Sequence, residues 1–202
     1  MDNGQLGMLA QEVLSRIFVE LEASGRHVHL TKQQACELFG HDLTEERPLS
    51  QPGQFLARER VSILGPKGKF HNVAVLGPAR EQGQVEISLT DSKTLGIHPP
   101  IRQSGDVAGT PGILLSTPLA TVALRQGVIV AQRHLHLTPQ TAARFGVRDG
   151  QTVRLQTFTT RPTVFDHVVV RVSPKFADRA HLDYDEANAC GMEKGDLGRI
   201  LP

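Results

Sequence analysis

Apolar and polar residues alternate in short runs along most of the chain. "RVSILG", "NVAVLGP", "QVEISLT", "VIVAQRHLHL", "TVRLQTF" and "DHVVVRV" are rich in Val and Ile and are bounded by Gly, Pro or Asp. That is the pattern of short β-strands punctuated by turns. The spacing changes at two places. "RHVHLTKQQACELFG" ends at Gly40 and "RHLHLTPQTAARFG" ends at Gly146, and each places a helical stretch between a Thr and a Phe-Gly pair. Thr31 and Thr138 suit helix N-caps, Pro139 suits a first helical position, and the glycines suit C-terminal stops. Each copy therefore reads as strand, short helix, stop, and the near-identical "RHVHLT" and "RHLHLT" point to an internal duplication. A third pattern opens the chain, where "GQLGMLAQEVLSRIF" spaces Leu6, Leu9, Val13 and Ile17 as a short amphipathic helix does.

These patterns predict a mainly β protein of two duplicated domains. The expected division is residues 1–20 as an amphipathic N-terminal segment, 21–110 as the domain with the first HxH, and 111–202 as the domain with the second. The Gly/Pro-rich "GIHPPIRQSGDVAGTPG", 96–112, separates the copies as a linker or a functional loop. "GPKGK", 65–69, reads as a hairpin turn; it lacks the spacing and terminal Ser/Thr of a phosphate-binding P-loop.

Composition narrows the function classes. With 22 Lys+Arg against 21 Asp+Glu, the net charge of +1 gives no excess for a polyanion, so no nucleic-acid partner is expected. No stretch approaches the roughly 18 to 20 apolar residues of a membrane span, and mean hydropathy is -0.20, so no membrane role is expected. Cys36 and Cys190 stand far apart without CxxC spacing, which disfavours a zinc ribbon, a redox motif or a disulfide scaffold. No secretory signal pattern opens the chain, and the cytoplasm is the expected compartment.

The chemistry lies in the repeat. Successive strand side chains point to opposite faces, so His27 and His29 share one face, as do His134 and His136. Two imidazoles with Cα atoms about 7 Å apart can converge on one metal ion. Further donors are needed, and Glu86 in "QVEIS" and His181 in "HLDYDEANA" are the candidates. His41, His71, His98 and His167 stand singly and read as solvated or structural. Asp183, Asp185 and Glu186 read as a solvated turn. Five histidines and a glutamate suit two borderline ions such as Zn²⁺, not Mg²⁺ or Ca²⁺, which prefer oxygen shells. Covalent catalysis is not signalled: there is no GxSxG elbow, and neither cysteine adjoins a histidine.

"SGRHVHLT", "LSQPGQF", "LGPAREQGQVEIS", "GDVAGTPG", "GVIVAQRHLHLTP" and "HLDYDEANACG", in that order, closely resemble the phosphate propanoyltransferase (PduL-type phosphotransacylase) family over about residues 24 to 192. The resemblance implies two duplicated β-barrel domains with short α-helical caps, chain ends that swap between barrels, and a dimetal site between the domains. It implies an enzyme that interconverts a short-chain acyl-CoA plus phosphate with an acyl phosphate plus CoA. Propanoyl-CoA is the expected substrate and acetyl-CoA a second, since one methylene is worth only about 1 to 3 kcal/mol in an apolar pocket.

Residue by residue, the resemblance implies that His27 and His29 hold one zinc, that His134, His136 and His181 hold the other, and that Glu86 bridges or approaches both. Arg80 in "PAR" would grip the substrate phosphate, and Ser104 in "RQSGD" would contribute to the pocket. A homo-oligomer and a location in or beside a bacterial microcompartment that degrades propanediol or ethanolamine are also implied. The N-terminal segment would then be an encapsulation peptide facing core or shell proteins. Two positions depart from the family's pattern: Gly25 before "RHVHL", and Lys93, which bears on CoA binding. A dizinc hydrolase and a non-catalytic metal-binding module would use the same histidines. A cupin-type oxygenase would need an acidic ligand three or four residues after HxH, whereas Glu37 follows His29 by eight.

Overall fold

A computed structural model describes residues 4, 5, 7, 13, 14 and 16–201. The expected N-terminal helix falls largely outside them: Leu6 and Leu9 are not among the described residues, whereas Val13 and Ile17 are, and both are exposed. The described chain is mainly β with four short helices and forms two compact units. The first strand, β1 (Val19–Ser24), belongs to the second unit's sheet.

Residues 24–132 with 183–185 make the unit that carries the first HxH. It contains β2 (His27–His29), α1 (Lys32–Phe39), β3 (Glu45–Pro48), β4 (Phe55–Leu64), β5 (Lys69–Gly77), β6 (Gln84–Ile87), α2 (Leu89–Leu95), β7 (Ile101–Arg102), β8 (Ile113–Ser116), β9 (Thr121–Leu124) and β10 (Val128–Ala131). The strands form a curled half-barrel sheet in the order β7-β10-β6-β2-β5-β4-β8-β9, with β3 added on β4. Strands beyond residue 110 stay in this sheet because β10 pairs in parallel with β6, Ile129 opposite Glu86. The "GPKGK" turn joins β4 to β5, with the Gly65 N–H donating to the Gly68 carbonyl.

The second unit comprises the described residues up to 23, with 133–182 and 186–201. Its strands are β1, β11 (His134–Leu137), β12 (Thr152–Phe158), β13 (Val164–Val172), β14 (Arg179–Asp183) and β15 (Leu197–Leu201), with α3 (Pro139–Phe145) and α4 (Tyr184–Cys190). They close into a six-stranded barrel in the order β1-β14-β11-β13-β12-β15. One sheet thus closes fully and the other curls without closing.

The repeat governs both units in the same way. The aliphatic residues between and after the histidines turn inward: Val28 and Leu30 are fully buried in one core, Leu135 and Leu137 in the other. Full burial of each such side chain favours the fold by roughly 1.5 to 3 kcal/mol. The chain then leaves each strand into a capped helix. The Thr31 hydroxyl accepts from the Gln34 N–H while the Gln34 carboxamide accepts from the Thr31 N–H, a reciprocal cap. The Thr138 hydroxyl accepts from the Thr141 N–H, with Pro139 as the first helical residue. Gly40 and Gly146 end these helices at φ values of 78° and 67°, a left-handed conformation that a Cβ disfavours. Helices α2 and α4 were not foreseen. α2 carries its own signal, Ser88 capping Asp91 and Gly96 stopping the helix.

Candidate metal centres

Strand pairing assembles each histidine pair with its third donor. β2 runs antiparallel to β6, with His27 opposite Glu86 and His29 opposite Gln84. β11 runs antiparallel to β14, with His134 opposite His181. The other flank of each HxH strand is parallel, β5 beside β2 and β13 beside β11. The duplication therefore extends from six letters to a local topology in which the first histidine of HxH faces its third donor across an antiparallel ladder.

His27, His29 and Glu86 are all buried, and His134, His136 and His181 are at least partly buried; within each triad the donor atoms lie within 4.8 Å of one another. These are the two such groups among the described residues. In the first, His27 Nε2 is 3.1 Å from His29 Nε2 and 3.5 Å from Glu86 Oε1. His27 Nδ1 lies 2.7 Å from the Gly25 carbonyl, an acceptor only, so Nδ1 carries the proton and Nε2 presents its lone pair to the triad. In the second triad the rings pack at centroid distances of 4.6 to 4.9 Å, and Phe176 stacks on His136 at 4.1 Å.

Electrostatics keep Glu86, His29 and His136 in ligating form. Burial alone would raise Glu86, but the charge and hydrogen bond of His27, then the charge of His29 and a hydrogen bond from Ser104, hold its carboxyl below the usual carboxylate range. Burial pushes His29 well down, reinforced by His27 and the Arg80 guanidinium. His27 differs: burial opposes its charged form, yet Glu86 and the Gly25 carbonyl outweigh this and raise it. Burial, then His134 and Arg171, lowers His136 to about 3, so its imidazole is neutral at any ordinary pH.

His136 supplies the test of fit for a metal. Both of its ring nitrogens are buried without a hydrogen-bond partner. An unsatisfied buried polar group costs about 1 to 3 kcal/mol, a cost that a metal bond removes at one of the two nitrogens. Two nitrogens with a carboxylate, and three nitrogens, are donor sets for Zn²⁺ or a similar borderline ion, and three protein ligands leave a position open. The residues fit the ion.

Arg80 and Ser104 belong to the first triad's surroundings. The Arg80 N–H donates to the carbonyl of Leu30, one residue beyond His29, and its Nη1 donates to Ser104 Oγ at 3.0 Å. Ser104 also lines an open cavity of about 410 Å³ with Ile101, Arg102, Asp106 and Gln132. The remaining acidic residues and histidines are elsewhere. Asp185 accepts from the Thr90 N–H, and Glu186 pairs with Arg133 at 2.5 Å. Asp183 is buried in neither triad. His41, His71, His98 and His167 are exposed and join neither triad. Lys93 is exposed in the last turn of α2. Sequence reasoning passed over Gln84, Phe176 and the Gly25 carbonyl; for Gln84 the signal was its alternation with Glu86 on one strand face.

Half-barrel and barrel, each built around a histidine-lined strand with a third donor across the ladder, define a duplicated β protein with two candidate metal sites. The family model of phosphate propanoyltransferase matches residues 20–193. Proteins named phosphate propanoyltransferase from Enterococcus faecalis and Listeria monocytogenes are each 51% identical to the chain. The first comparison covers 96% of this chain and 95% of the relative, the second 100% and 97%. One from Clostridioides difficile is 50% identical over 97% of each. The chain belongs to the phosphate propanoyltransferase family, a family of acyltransferase enzymes.

Proposed function

We propose that the chain is a dizinc phosphate acyltransferase that interconverts propanoyl-CoA plus phosphate with propanoyl phosphate plus CoA, and that it also accepts acetyl-CoA. The observation that carries this reading is the pair of triads, with Arg80 and Ser104 placed beside the first. His27, His29 and Glu86 would hold one ion and His134, His136 and His181 the other. Bound zinc would supply Lewis acidity toward the thioester carbonyl and the charge that develops on its oxygen.

The chain's own residues do the rest. The Arg80 guanidinium, whose planar fork matches a phosphate edge, binds the phosphate and orients one oxygen toward the thioester carbonyl carbon. The new C–O bond forms as the C–S bond breaks, and CoA departs as its thiolate. Ser104 orients Arg80 through their hydrogen bond. Glu86 stays ionised, the form in which it serves as a metal ligand. Holding the reactants in register supplies much of the acceleration.

The same reading assigns the protein to a homo-oligomer in the cytoplasm and its N-terminal segment to docking on microcompartment core or shell proteins. The exposure of Val13, Leu14 and Ile17 supports an apolar docking stripe. Among the described residues no helix is long and apolar enough to cross a membrane. Deletion of residues 1–16, which stops short of barrel strand β1, is expected to abolish uptake into compartments without loss of activity.

The testing experiment follows CoA release from propanoyl-CoA and acetyl-CoA with a thiol reagent, with and without phosphate, before and after chelation, and after zinc is restored. Phosphate-dependent, chelator-sensitive and zinc-rescued release is expected. Release that needs no phosphate would make the protein a hydrolase and overturn the proposal.

A further inference from the structure

Gln84 is 2% exposed and lies on the sheet face that carries the first triad, directly across the ladder from His29. Its carboxamide oxygen accepts the Gly105 N–H at 2.8 Å. A backbone N–H only donates, so this bond fixes the amide's orientation and commits Nε2 to donating. Nε2 is 2.6 Å from Glu86 Oε1 and 2.9 Å from Ser104 Oγ. Ser104 Oγ also accepts from Arg80 Nη1 at 3.0 Å, so its lone pairs face two N–H donors and its own proton is left to donate. A continuous chain thus runs from the carboxylate of the triad through Gln84 and Ser104 to Arg80, anchored at Gly105, which turns at φ 98°.

We propose that Gln84 is a positioning residue that orients Glu86 for its metal ion and couples it to Ser104 and Arg80, so that the metal ligand and the phosphate grip are held in one fixed geometry. The proposal rests on the reading of this site as a metal centre with a phosphate-binding arginine. A carboxylate rotates freely about its last bond, and Glu86 Oε1 is 3.5 Å and 3.9 Å from the two histidine nitrogens. The short bond from Gln84 keeps that oxygen on the histidine side. On the other limb, Gln84 fixes Ser104 from beneath and thereby the direction of the Arg80 side chain. An amide suits this place because it gives two protons and takes one; a carboxylate would set a second negative charge against Glu86.

The test uses the full-length protein and two variants. Q84M keeps the volume and removes every hydrogen bond; Q84N keeps the amide but retracts it by one methylene, so a folded variant is available if Q84M fails to fold. Metal-stripped protein is titrated with zinc against a chromophoric chelator, and KM is measured separately for phosphate and for acyl-CoA. Loss of an outer-shell partner is expected to weaken one of the two zinc ions about 10- to 100-fold and leave the other as an internal control. The KM for phosphate should rise while that for acyl-CoA holds, a split that general loss of packing would not produce. A folded Q84M or Q84N with wild-type zinc affinities and wild-type phosphate KM overturns the proposal while the metal centre stands. Wild-type protein that binds no zinc overturns both.

Discussion

Replacing Arg80 by alanine tests the phosphate grip without touching a metal donor. Arg80 is fastened at both ends, by its N–H to the Leu30 carbonyl and by Nη1 to Ser104, so truncation leaves the backbone path intact. A hydrogen bond to a charged group contributes about 1.5 to 3 kcal/mol. Two such bonds from one guanidinium to one phosphate, taken near the low end, sum to roughly 3 to 4 kcal/mol, or about 150- to 1000-fold in kcat/KM for phosphate. Lysine keeps the charge and loses the fork, so R80K should fall between alanine and wild type. The assay is initial-rate CoA release at varied phosphate, with zinc content measured on the same preparations. Two zinc per chain should remain in R80A. Arg80 belongs to neither triad, so its removal takes no donor from either ion. A kcat/KM for phosphate within about threefold of wild type, or zinc lost together with activity, would refute the assigned role.

Other expectations follow from the same geometry. H136A should drop zinc content from two ions to one per chain by elemental analysis, since the remaining triad is complete in itself; retention of both would contradict the second centre. For metal-free protein, His136 and His29 have native pKa values below that of an unfolded histidine, His136 at about 3, so below about pH 6.5 the unfolded chain binds more protons and stability falls as pH falls. Each group contributes at most about 1.4 kcal/mol per pH unit, and His27, raised, changes its contribution above about pH 6.5, outside this range; denaturant titrations from about pH 6.5 to 4 should slope downward, and a flat profile would falsify the assignment. T31A removes a helix cap and should cost about 1 kcal/mol of unfolding free energy, with zinc content unchanged.

How much of this could be read in the chain depends on the range of the interactions. The HxH pairs share a face by strand geometry alone, and the Thr and Gly that bracket α1 and α3 act within a few residues, so both are visible in local sequence. Glu86 and His181 stood out by residue type, but their places opposite His27 and His134 depend on ladders between strands distant in the chain. Sheet closure is equally non-local. Nothing in the strand patterns distinguishes the six strands that close from the curled sheet around β2, and the parallel pairing of β10 with β6 carries the first sheet past residue 110. α2 and α4 are no shorter than α3, seven residues each, but they lack the repeated Thr and Phe-Gly bracket that marked α1 and α3. Gln84 was missed because a buried amide between apolar neighbours looks like any solvent-facing strand position until its three hydrogen bonds are seen.

The central claim is that each triad holds an ion. Anomalous diffraction collected on either side of the zinc absorption edge, from crystals of zinc-loaded protein, tests it directly. Two peaks per chain are predicted, one among His27, His29 and Glu86 and one among His134, His136 and His181. A single peak, or peaks away from both triads, would contradict the account.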